Sequence, residues 1–279
     1  MTDRPRDLRD PRTPPRLLTI AGSDSGGGAG LQADLKVFAA HGAYGMSAVT
    51  AVTVQNTVGV SAVHPVPPEI VAAQIDAVLD DLGADAIKIG MLGEAPVVRA
   101  VARCLRARVP AVPVVLDPVL LAKGGAPLLA DAAVEVLREE LLPLATVVTP
   151  NLPELARLTG LPVATEAERR RAAGELARRG PAVLVKGGHG EGEEVVDLLL
   201  VDGTWHRFAH PRLAVRSTHG TGCTLAAALA ARLAAGEALP AAAAGAIEYV
   251  AGAIAAAYPL GEGVGPVDPL YRLNGKEKG

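Results

Sequence analysis

The sequence predicts an α/β protein built on one doubly wound, mainly parallel β-sheet. Short apolar runs alternate with amphipathic helical patterns along most of the 279 residues, and repeated βα units of this kind form parallel sheets. Apolar residues make up 49% of the chain and aromatic residues only 3%. A core of Ala, Val and Leu is typical of helices packed on a buried sheet.

The predicted elements follow one another in a regular order, assigned from short apolar runs and from apolar residues three or four positions apart. Strands are predicted at residues 17–21, 47–54, 86–89, 114–116, 146–148 and 182–185. Helices are predicted at residues 31–40, 71–82, 96–105 and 131–142, the last with Asp131 as its N-cap. A hairpin at 195–205, turning at Asp202-Gly203, and two Ala-rich helices complete the chain.

The domain organisation is predicted to be simple. Residues 1–15 are rich in Pro and Arg and lack the apolar stretch of a signal peptide, so they are interpreted as a disordered tail. Residues 16–279 contain no fixed-period repeat and no linker. Their length suits one large α/β domain.

Composition excludes several classes of function. The net charge of −3 leaves no basic excess for binding nucleic acid. Charged residues interrupt the Ala-rich C-terminal third before any segment reaches the roughly 20 apolar residues of a membrane span. Two cysteines, Cys104 and Cys223, cannot form a disulfide framework, and a cytoplasmic location is predicted.

Residues that can do chemistry follow the predicted strands, at the edge where open α/β sheets bind ligands. These segments are Gly22–Gly30, Gln55–Thr57, Gly90–Gly93, Asp117-Pro118, Pro150-Asn151 and Lys186–His189. Carboxylates, amides, a lysine and many glycines in one row predict a single site built from many loops.

The glycine run after the first strand has more than one interpretation. Gly28, Gly30 and Ala33 have the spacing of a loose dinucleotide fingerprint. That interpretation requires an acidic residue after the second strand, where the chain has Gln55 and Asn56, so it is disfavoured. Neither a Walker P-loop nor a Gly-x-Ser-x-Gly elbow occurs in the sequence.

The strongest local signal is the segment Ser217–Thr224, which directly precedes an apolar helical run. Glycines let the N–H groups of a helix N-terminus converge, and the helix dipole favours negative charge there. The segment is compatible with an anion hole for a transferring phosphoryl group. It is equally compatible with a glycine-rich turn capped by a threonine.

Taken in order, eight motifs of the chain resemble those of the hydroxymethylpyrimidine/phosphomethylpyrimidine kinases of thiamine biosynthesis. They are Ala21–Lys36, Gly42–Gly45, Val54–Thr57, Lys88–Leu92, Leu116–Val119, Thr149–Glu154, Lys186–His189 and Thr218–Cys223. Their order and spacing match over residues 16–268. The resemblance implies a ribokinase-like three-layer sandwich, with a central, mostly parallel sheet flanked by helices. It also implies a homodimeric enzyme that uses ATP and Mg²⁺ to phosphorylate 4-amino-5-hydroxymethyl-2-methylpyrimidine and then its monophosphate.

The same resemblance, taken residue by residue, implies a role for thirteen positions. The positions that hold the pyrimidine are Gly22, Asp34, Gln55 and Met91. Those at ATP are Lys186, Thr218 and Asn151, and those near the metal are Asp117 and Glu154. The anion hole is formed by Gly220, Thr221 and Gly222, and Cys223 falls where sugar kinases of the superfamily have a catalytic aspartate.

Residue chemistry supports these roles beside simpler explanations. A helix N-terminus lowers the pKa of a thiol below roughly 8.5, so Cys223 is predicted to act as a base on the substrate hydroxyl. The amide of Gln55 matches the donor and acceptor of an aminopyrimidine edge. Asn151 and Glu154 also have the spacing of a capping box, which needs no ligand.

The chain departs from the family pattern in two places. Ser25-Gly26 replaces the usual Pro-Ser pair, and the segment Gly261–Asp268 lacks the His or Lys often found there. Two other functions are considered: a pyridoxal kinase of the same superfamily, and a pyrimidine-binding regulator that has lost catalysis. The intact segment Gly220–Cys223 and Lys186 disfavour the regulator.

Overall fold

The computed structural model describes residues 13–107, 112–120, 128–190 and 192–274. The strands in these residues are β1 (Arg16–Ser23), β2 (Tyr44–Gln55), β3 (Val60–Pro65), β4 (Ala86–Ile89), β5 (Val114–Leu116), β6 (Val147–Val148), β7 (Ala182–Val185), β8 (Glu194–Val201) and β9 (Thr204–Pro211). The helices are α1 (Gly30–Ala40), α2 (Pro68–Asp81), α3 (Ala95–Arg106), α4 (Asp131–Val136), α5 (Leu152–Thr159), α6 (Glu166–Ala177), α7 (Thr221–Ala234), α8 (Leu239–Ala255) and α9 (Tyr271–Asn274).

The described strands form one nine-stranded sheet in the order β3-β2-β1-β4-β5-β6-β7-β8-β9. The six strands from β2 to β7 in this order run parallel, while β3 and the β8–β9 hairpin add antiparallel edges. The chain therefore starts at β1, moves to β2 on one side, and returns to β4 on the other. This reversal between β1 and β4 opens a crevice at their carboxyl ends, where ligands bind in such sheets.

Helices cover both faces of the sheet. One apolar cluster packs α2 to α6 on one face, and a second packs α1, α7 and α8 on the other. Successive residues of a strand alternate between the two clusters: Leu17 belongs to the second, whereas Leu18 and Ile20 belong to the first. Burial on both faces explains why the central strands read as continuous apolar runs.

Several sequence predictions need correction or extension. Asp131 is the first residue of α4 and not its N-cap, which is Ala130 without a side-chain bond; the Asp131 carboxylate pairs with Arg157 and lies in the first turn, where negative charge is favoured. Strand β3 was not predicted, since almost all of its residues are exposed and it shows no apolar alternation. The predicted hairpin turn is confirmed, with Asp202 and Gly203 both at positive φ.

The chain ends are only partly described. Residues 1–12 of the predicted tail lie outside the described residues, while the Pro15 carbonyl accepts a hydrogen bond from the Tyr44 N–H. Among the helices that the structure describes, none combines the length and the hydropathy needed to cross a bilayer.

Candidate active site

A cleft of about 790 Å³ opens at the carboxyl ends of the parallel strands. Twelve of the thirteen predicted site positions line it: Gly22, Gln55, Met91, Asp117, Asn151, Glu154, Lys186, Thr218, Gly220, Thr221, Gly222 and Cys223. The exception is Asp34. The strand order sets the layout of the cleft, because Gln55 ends β2 near one edge of the sheet and Lys186 follows β7 toward the other.

The N-terminus of α7 lies between these two sides. The helix packs against β1, β4 and β5 and is capped by Gly220 in the left-handed conformation, with φ of 82°. A Cβ at Gly220 would collide with the Gly28 carbonyl, so a glycine is required twice over. The threonine cap considered as an alternative is not formed, because Gly220 is the N-cap and no side chain caps the helix; the Thr221 hydroxyl donates to the Thr218 carbonyl. The first N–H groups of α7 have no acceptor within the helix and belong to residues that line the cleft.

Lys186 brings a cation to the same place. Its Nζ lies 2.7 Å from Asp117 Oδ1 and 3.8 Å from Glu154 Oε2. A Cβ at Gly222 would lie 3.2 Å from this Nζ, which places the ammonium against the first turn of α7. Burial alone would lower the pKa of Lys186, but the carboxylates of Asp117 and Glu154 raise it. The side chain is therefore charged and in contact with the cleft.

The position of Glu154 is compatible with both roles considered from the sequence, a helix cap and a contact with the metal. Its N–H donates to Asn151 Oδ1 at 2.9 Å, and the Asn151 N–H donates to Glu154 Oε2 at 2.8 Å, so the capping box is confirmed. Burial raises the pKa of the Glu154 carboxyl to about 7. The charge of Asp117 also raises this pKa, whereas the charge of Lys186 lowers it. Because the carboxyl also lines the cleft, capping does not prevent it from facing a ligand.

Asp34 lies below the cleft and not on its wall. Its carboxylate is fully buried, and Oδ2 accepts hydrogen bonds from Lys88 Nζ at 2.8 Å and Thr19 Oγ1 at 2.6 Å. Lys88 is among the residues that surround the cleft, but its side chain has no exposed surface. Burial alone would lower the pKa of Lys88, but the Asp34 carboxylate raises it. The structure thus places Asp34 outside the residues that line the cleft, with its Oδ1 atom lacking a hydrogen-bond partner among the described residues, and its contact with the pyrimidine stays a prediction.

Sequence reasoning missed Lys88 although a signal was present. The residue stands in the middle of Ala86–Ile89, a strand that is buried throughout. A charged side chain at such a position requires a partner of opposite charge, and Asp34 supplies it.

The wall of the cleft near β1, β2 and β4 carries both apolar and polar side chains. A Cβ at Gly22 would lie 2.9 Å from Met91 Sδ, so the Met91 thioether packs directly against the Gly22 backbone. Gln55 Nε2 lies 3.2 Å from His219 Nε2. This side of the cleft therefore offers an apolar thioether and a carboxamide together.

Asp24 is the second residue that sequence reasoning missed. Its carboxylate accepts hydrogen bonds from the N–H groups of Gly26 at 2.8 Å, Gly28 at 3.1 Å and Ala29 at 2.8 Å, and from His219 at 2.9 Å. Burial raises the pKa of Asp24, but these hydrogen bonds and the His219 charge outweigh burial and lower it overall. An aspartate before a glycine run is typical of such turns, and here it organises the whole loop.

Cys223 lies in the first turn of α7, as the sequence predicts. Burial raises the pKa of its thiol to about 11, against the opposing influence of the Lys88 ammonium. The expectation of a lowered pKa is therefore wrong, because desolvation of the thiolate and the nearby Asp34 and Asp117 carboxylates raise the pKa more than Lys88 lowers it.

Comparison with known proteins decides the family. Residues 24–268 match the family model described as phosphomethylpyrimidine kinase. The hydroxymethylpyrimidine/phosphomethylpyrimidine kinase of Streptomyces coelicolor is 52% identical over 264 residues, which cover 94% of this chain and 97% of the relative. The chain belongs to the phosphomethylpyrimidine kinase family.

Solved structures related to this kinase have the same fold. Pyridoxal kinase from Staphylococcus aureus in complex with ADP has a TM-score of 0.86 and 36% identity, over 93% of this chain and 95% of that one. Phosphomethylpyrimidine kinase from Clostridium difficile has a TM-score of 0.76 and 39% identity, over 85% and 98%. The predicted ribokinase-like fold and the predicted family are both confirmed, and the kinase is a phosphotransferase that uses ATP.

Proposed function

We propose that this kinase transfers the γ-phosphoryl group of ATP to the hydroxymethyl group of 4-amino-5-hydroxymethyl-2-methylpyrimidine, and then phosphorylates the monophosphate. The observation that carries the proposal is the layout of the cleft. Gln55 and Met91 line the cleft on one side of the α7 N-terminus, and the Lys186 ammonium lies on the other. A phosphoryl group at the helix N-terminus would thus stand between acceptor and nucleotide.

Phosphoryl transfer asks the protein mainly for positioning and for stabilisation of negative charge. The α7 N-terminus supplies N–H donors and a positive dipole end, and Lys186 adds a full charge that its neighbours keep in place. Both act where charge redistributes during transfer. We assign Thr218 and Asn151, which line the same part of the cleft, to the nucleotide phosphates.

The nucleotide side of the cleft has an apolar wall. Its apolar lining residues come from the segment after β9 and from α8, and include Leu213, Val215, Ile247, Val250 and Ile254. A wall of this kind suits a flat purine ring, since recognition sites are mostly apolar with a few polar groups. We place the adenine of ATP here, beyond Lys186.

We retain Cys223 as the group that receives the proton of the substrate hydroxyl. With a pKa of about 11 the thiol is protonated at neutral pH, so this role requires that binding of the reactants favour the thiolate. The Lys88 ammonium already acts in that direction. A proton acceptor in this position typically contributes about 10²–10⁴-fold to the rate.

We further propose that Asp117 and Glu154 hold Mg²⁺ through its water shell. The pair fits the ion, because two neighbouring carboxylates share the single Lys186 ammonium and the Glu154 carboxyl is driven toward its neutral form. Among the described side chains no cluster of three or more potential ligands occurs, and Mg²⁺ needs few carboxylates when phosphates and waters complete its shell. When bound, the ion neutralises phosphate charge.

The acceptor is tested by measuring ADP release with three samples: hydroxymethylpyrimidine, pyridoxal and no acceptor. We expect ADP release that depends on hydroxymethylpyrimidine and a clearly lower kcat/KM for pyridoxal. Pyridoxal is the alternative because the solved structures that resemble this chain include pyridoxal kinases. A preference for pyridoxal would overturn the proposed substrate, and ADP release that no acceptor stimulates would overturn acceptor phosphorylation altogether. The homodimeric state and the cytoplasmic location stay predictions.

A further inference from the structure

We propose that Arg212 is a positioning residue that holds the loop between β7 and β8 in the form that receives the nucleotide phosphates. This inference rests on the proposed function, because it concerns how the kinase prepares its nucleotide side. The loop begins directly after Lys186, and its residues Gly188 and His189 line the cleft. Its shape therefore helps to define the space beside the Lys186 ammonium.

The β7–β8 loop is rich in glycine and needs support from outside. Residues 187–193 contain four glycines, and glycine loses more conformational freedom on ordering than any other residue. The start of the loop is anchored, because the Gly187 N–H donates to the buried Asp197 carboxylate at 2.7 Å. The Gly190 N–H then donates to the Gly187 carbonyl at 2.8 Å. The carbonyl groups of the later glycines take their donors from Arg212.

Arg212 binds three carbonyl groups of the loop with one guanidinium. Its Nε donates to the Gly192 carbonyl at 2.8 Å. Its Nη1 donates to the Gly188 carbonyl at 2.8 Å, and its Nη2 to the Gly190 carbonyl at 2.6 Å. Hydrogen bonds from a charged donor are roughly twice as strong as those between neutral groups, and the planar guanidinium holds its donors in fixed directions. One side chain therefore fixes the relative positions of three glycines.

The β8–β9 hairpin explains why Arg212 reaches the loop. Glu194 pairs with Pro211 at the open end of the hairpin. Beyond this pair, the Arg212 N–H donates to the Glu193 carbonyl at 2.7 Å, so Arg212 leaves β9 where the loop enters β8. The next residue, Leu213, belongs to the apolar wall on which we place the adenine. Arg212 therefore joins the wall for the base to the loop for the phosphates.

The consequence is a nucleotide side that is ordered before ATP binds. Without the guanidinium, the glycines of the loop are free to sample many conformations, and ATP binds only the fraction of molecules in which the loop has the correct shape. The apparent affinity falls by that fraction, for which we expect about tenfold. The acceptor side lies on β2 and β4, away from the loop, and should keep its affinity.

The test uses two measurements on the full-length protein: the Kd for a non-hydrolysable ATP analogue by calorimetry, and amide hydrogen exchange of the peptide that covers the β7–β8 loop. Arg212→Ala should raise the Kd about tenfold, and its loop should exchange faster in the nucleotide-free protein. Arg212→Lys keeps the charge but cannot span three carbonyl groups, so its Kd should lie close to that of Arg212→Ala. The KM for hydroxymethylpyrimidine should stay within about twofold in both variants.

Arg216→Ala is the matched control. Arg216 lies in the same segment after β9, and its Nη2 donates to the Glu262 carbonyl at 3.0 Å. The variant therefore also removes a hydrogen bond from a guanidinium to a backbone carbonyl, but on a different loop. It should leave both the Kd for the ATP analogue and the exchange of the β7–β8 loop unchanged.

Several results would overturn the inference. They are an unchanged Kd in Arg212→Ala, an Arg212→Lys variant that binds like the wild type, and equal weakening by Arg216→Ala. Weaker binding without faster loop exchange would also overturn it, because Arg212 would then act as a direct phosphate contact. If Lys186→Ala leaves binding of the ATP analogue unchanged, the proposed placement of the nucleotide fails instead.

Discussion

Two lysine–aspartate pairs lie under the same cleft and differ in how far they are closed to solvent. Lys88 and Asp34 are 2.8 Å apart and both fully buried, whereas Lys186 and Asp117 are 2.7 Å apart with the lysine side chain 14% exposed. The distances are nearly equal, so geometry alone does not tell the pairs apart. What differs is whether a ligand can reach the ammonium.

The difference separates a fixed charge from an available one. The carboxylate of Asp34 is bonded to Thr19 as well as Lys88, and the closed pair therefore contributes a charge that nothing in the cleft displaces. Lys186 is held by two carboxylates, one of them with a pKa raised to about 7. Its contacts can be exchanged for phosphate and metal. We therefore expect the closed pair to govern stability and the open pair to govern turnover.

The largest effect is expected at the closed pair. Lys88→Met leaves the buried Asp34 carboxylate without its cation, which typically costs about 3–5 kcal/mol of the free energy of unfolding. Denaturation in guanidinium, followed by circular dichroism, measures this loss. The double variant Lys88→Met/Asp34→Asn removes both charges and should recover at least half of it. If Lys88→Met is as stable as the wild type, the Lys88–Asp34 ion pair does not stabilise the fold.

The open pair should respond in the opposite way. Lys186→Ala is expected to raise the KM for ATP and lower kcat together, for a fall of about 10- to 100-fold in kcat/KM, because a cation beside the phosphates helps binding and helps transfer more. Its unfolding free energy should fall by less than that of Lys88→Met, because the Lys186 side chain is 14% exposed whereas that of Lys88 has no exposed surface. Normal ATP kinetics would show that this charge serves only the fold.

Cys223 reports on the charges around it. At pH 8, alkylation of the folded protein by iodoacetamide, located by mass spectrometry, should be about 10- to 100-fold slower at Cys223 than in the unfolded chain, because its pKa is raised to about 11. Lys88→Met should slow it further, since the Lys88 ammonium favours the thiolate. Faster alkylation in the folded state would restore the original expectation of an activated thiolate.

The last effect concerns the pH dependence of stability. The pKa of folded Glu154 is about 7 against an ordinary 4.5, so its contribution to stability is complete below pH 4.5 and is lost as the pH rises through 7. Glu154→Gln keeps an acceptor for the Asn151 N–H but cannot ionise. Relative to the wild type it should gain about 1–3 kcal/mol between pH 5 and pH 8. Parallel stability curves for both proteins across that range would contradict the raised pKa.

The sequence was sufficient to predict site residues where these residues belong to a short-range structural pattern. Strand ends, the Asn151–Glu154 capping box and the α7 N-terminus all have short-range signatures, and motif order brought twelve residues to one cleft. Asp34 and Lys88 show what such patterns lack. The two are 54 positions apart, and only the packing of α1 against the sheet reveals that Asp34 faces inward. The expected direction of the Cys223 pKa shift was wrong for a similar reason, because desolvation depends on neighbours that are distant in the sequence.

The contact between Gly28 and Gly220 limits how this enzyme can be altered. A Cβ on Gly220 would meet the Gly28 carbonyl, and one on Gly28 would lie 2.6 Å from the His219 ring. The first clash is with backbone, which no change of side chain elsewhere can relieve. In a saturation library selected for growth without thiamine, position 220 should therefore tolerate glycine alone. A Cβ at position 28 would meet only side chains, those of His219 and Pro266, so second-site changes at these two residues should allow alanine there. The loop that contains Gly28 can thus be varied by directed evolution, whereas the backbone contact fixes Gly220 in the loop that faces it.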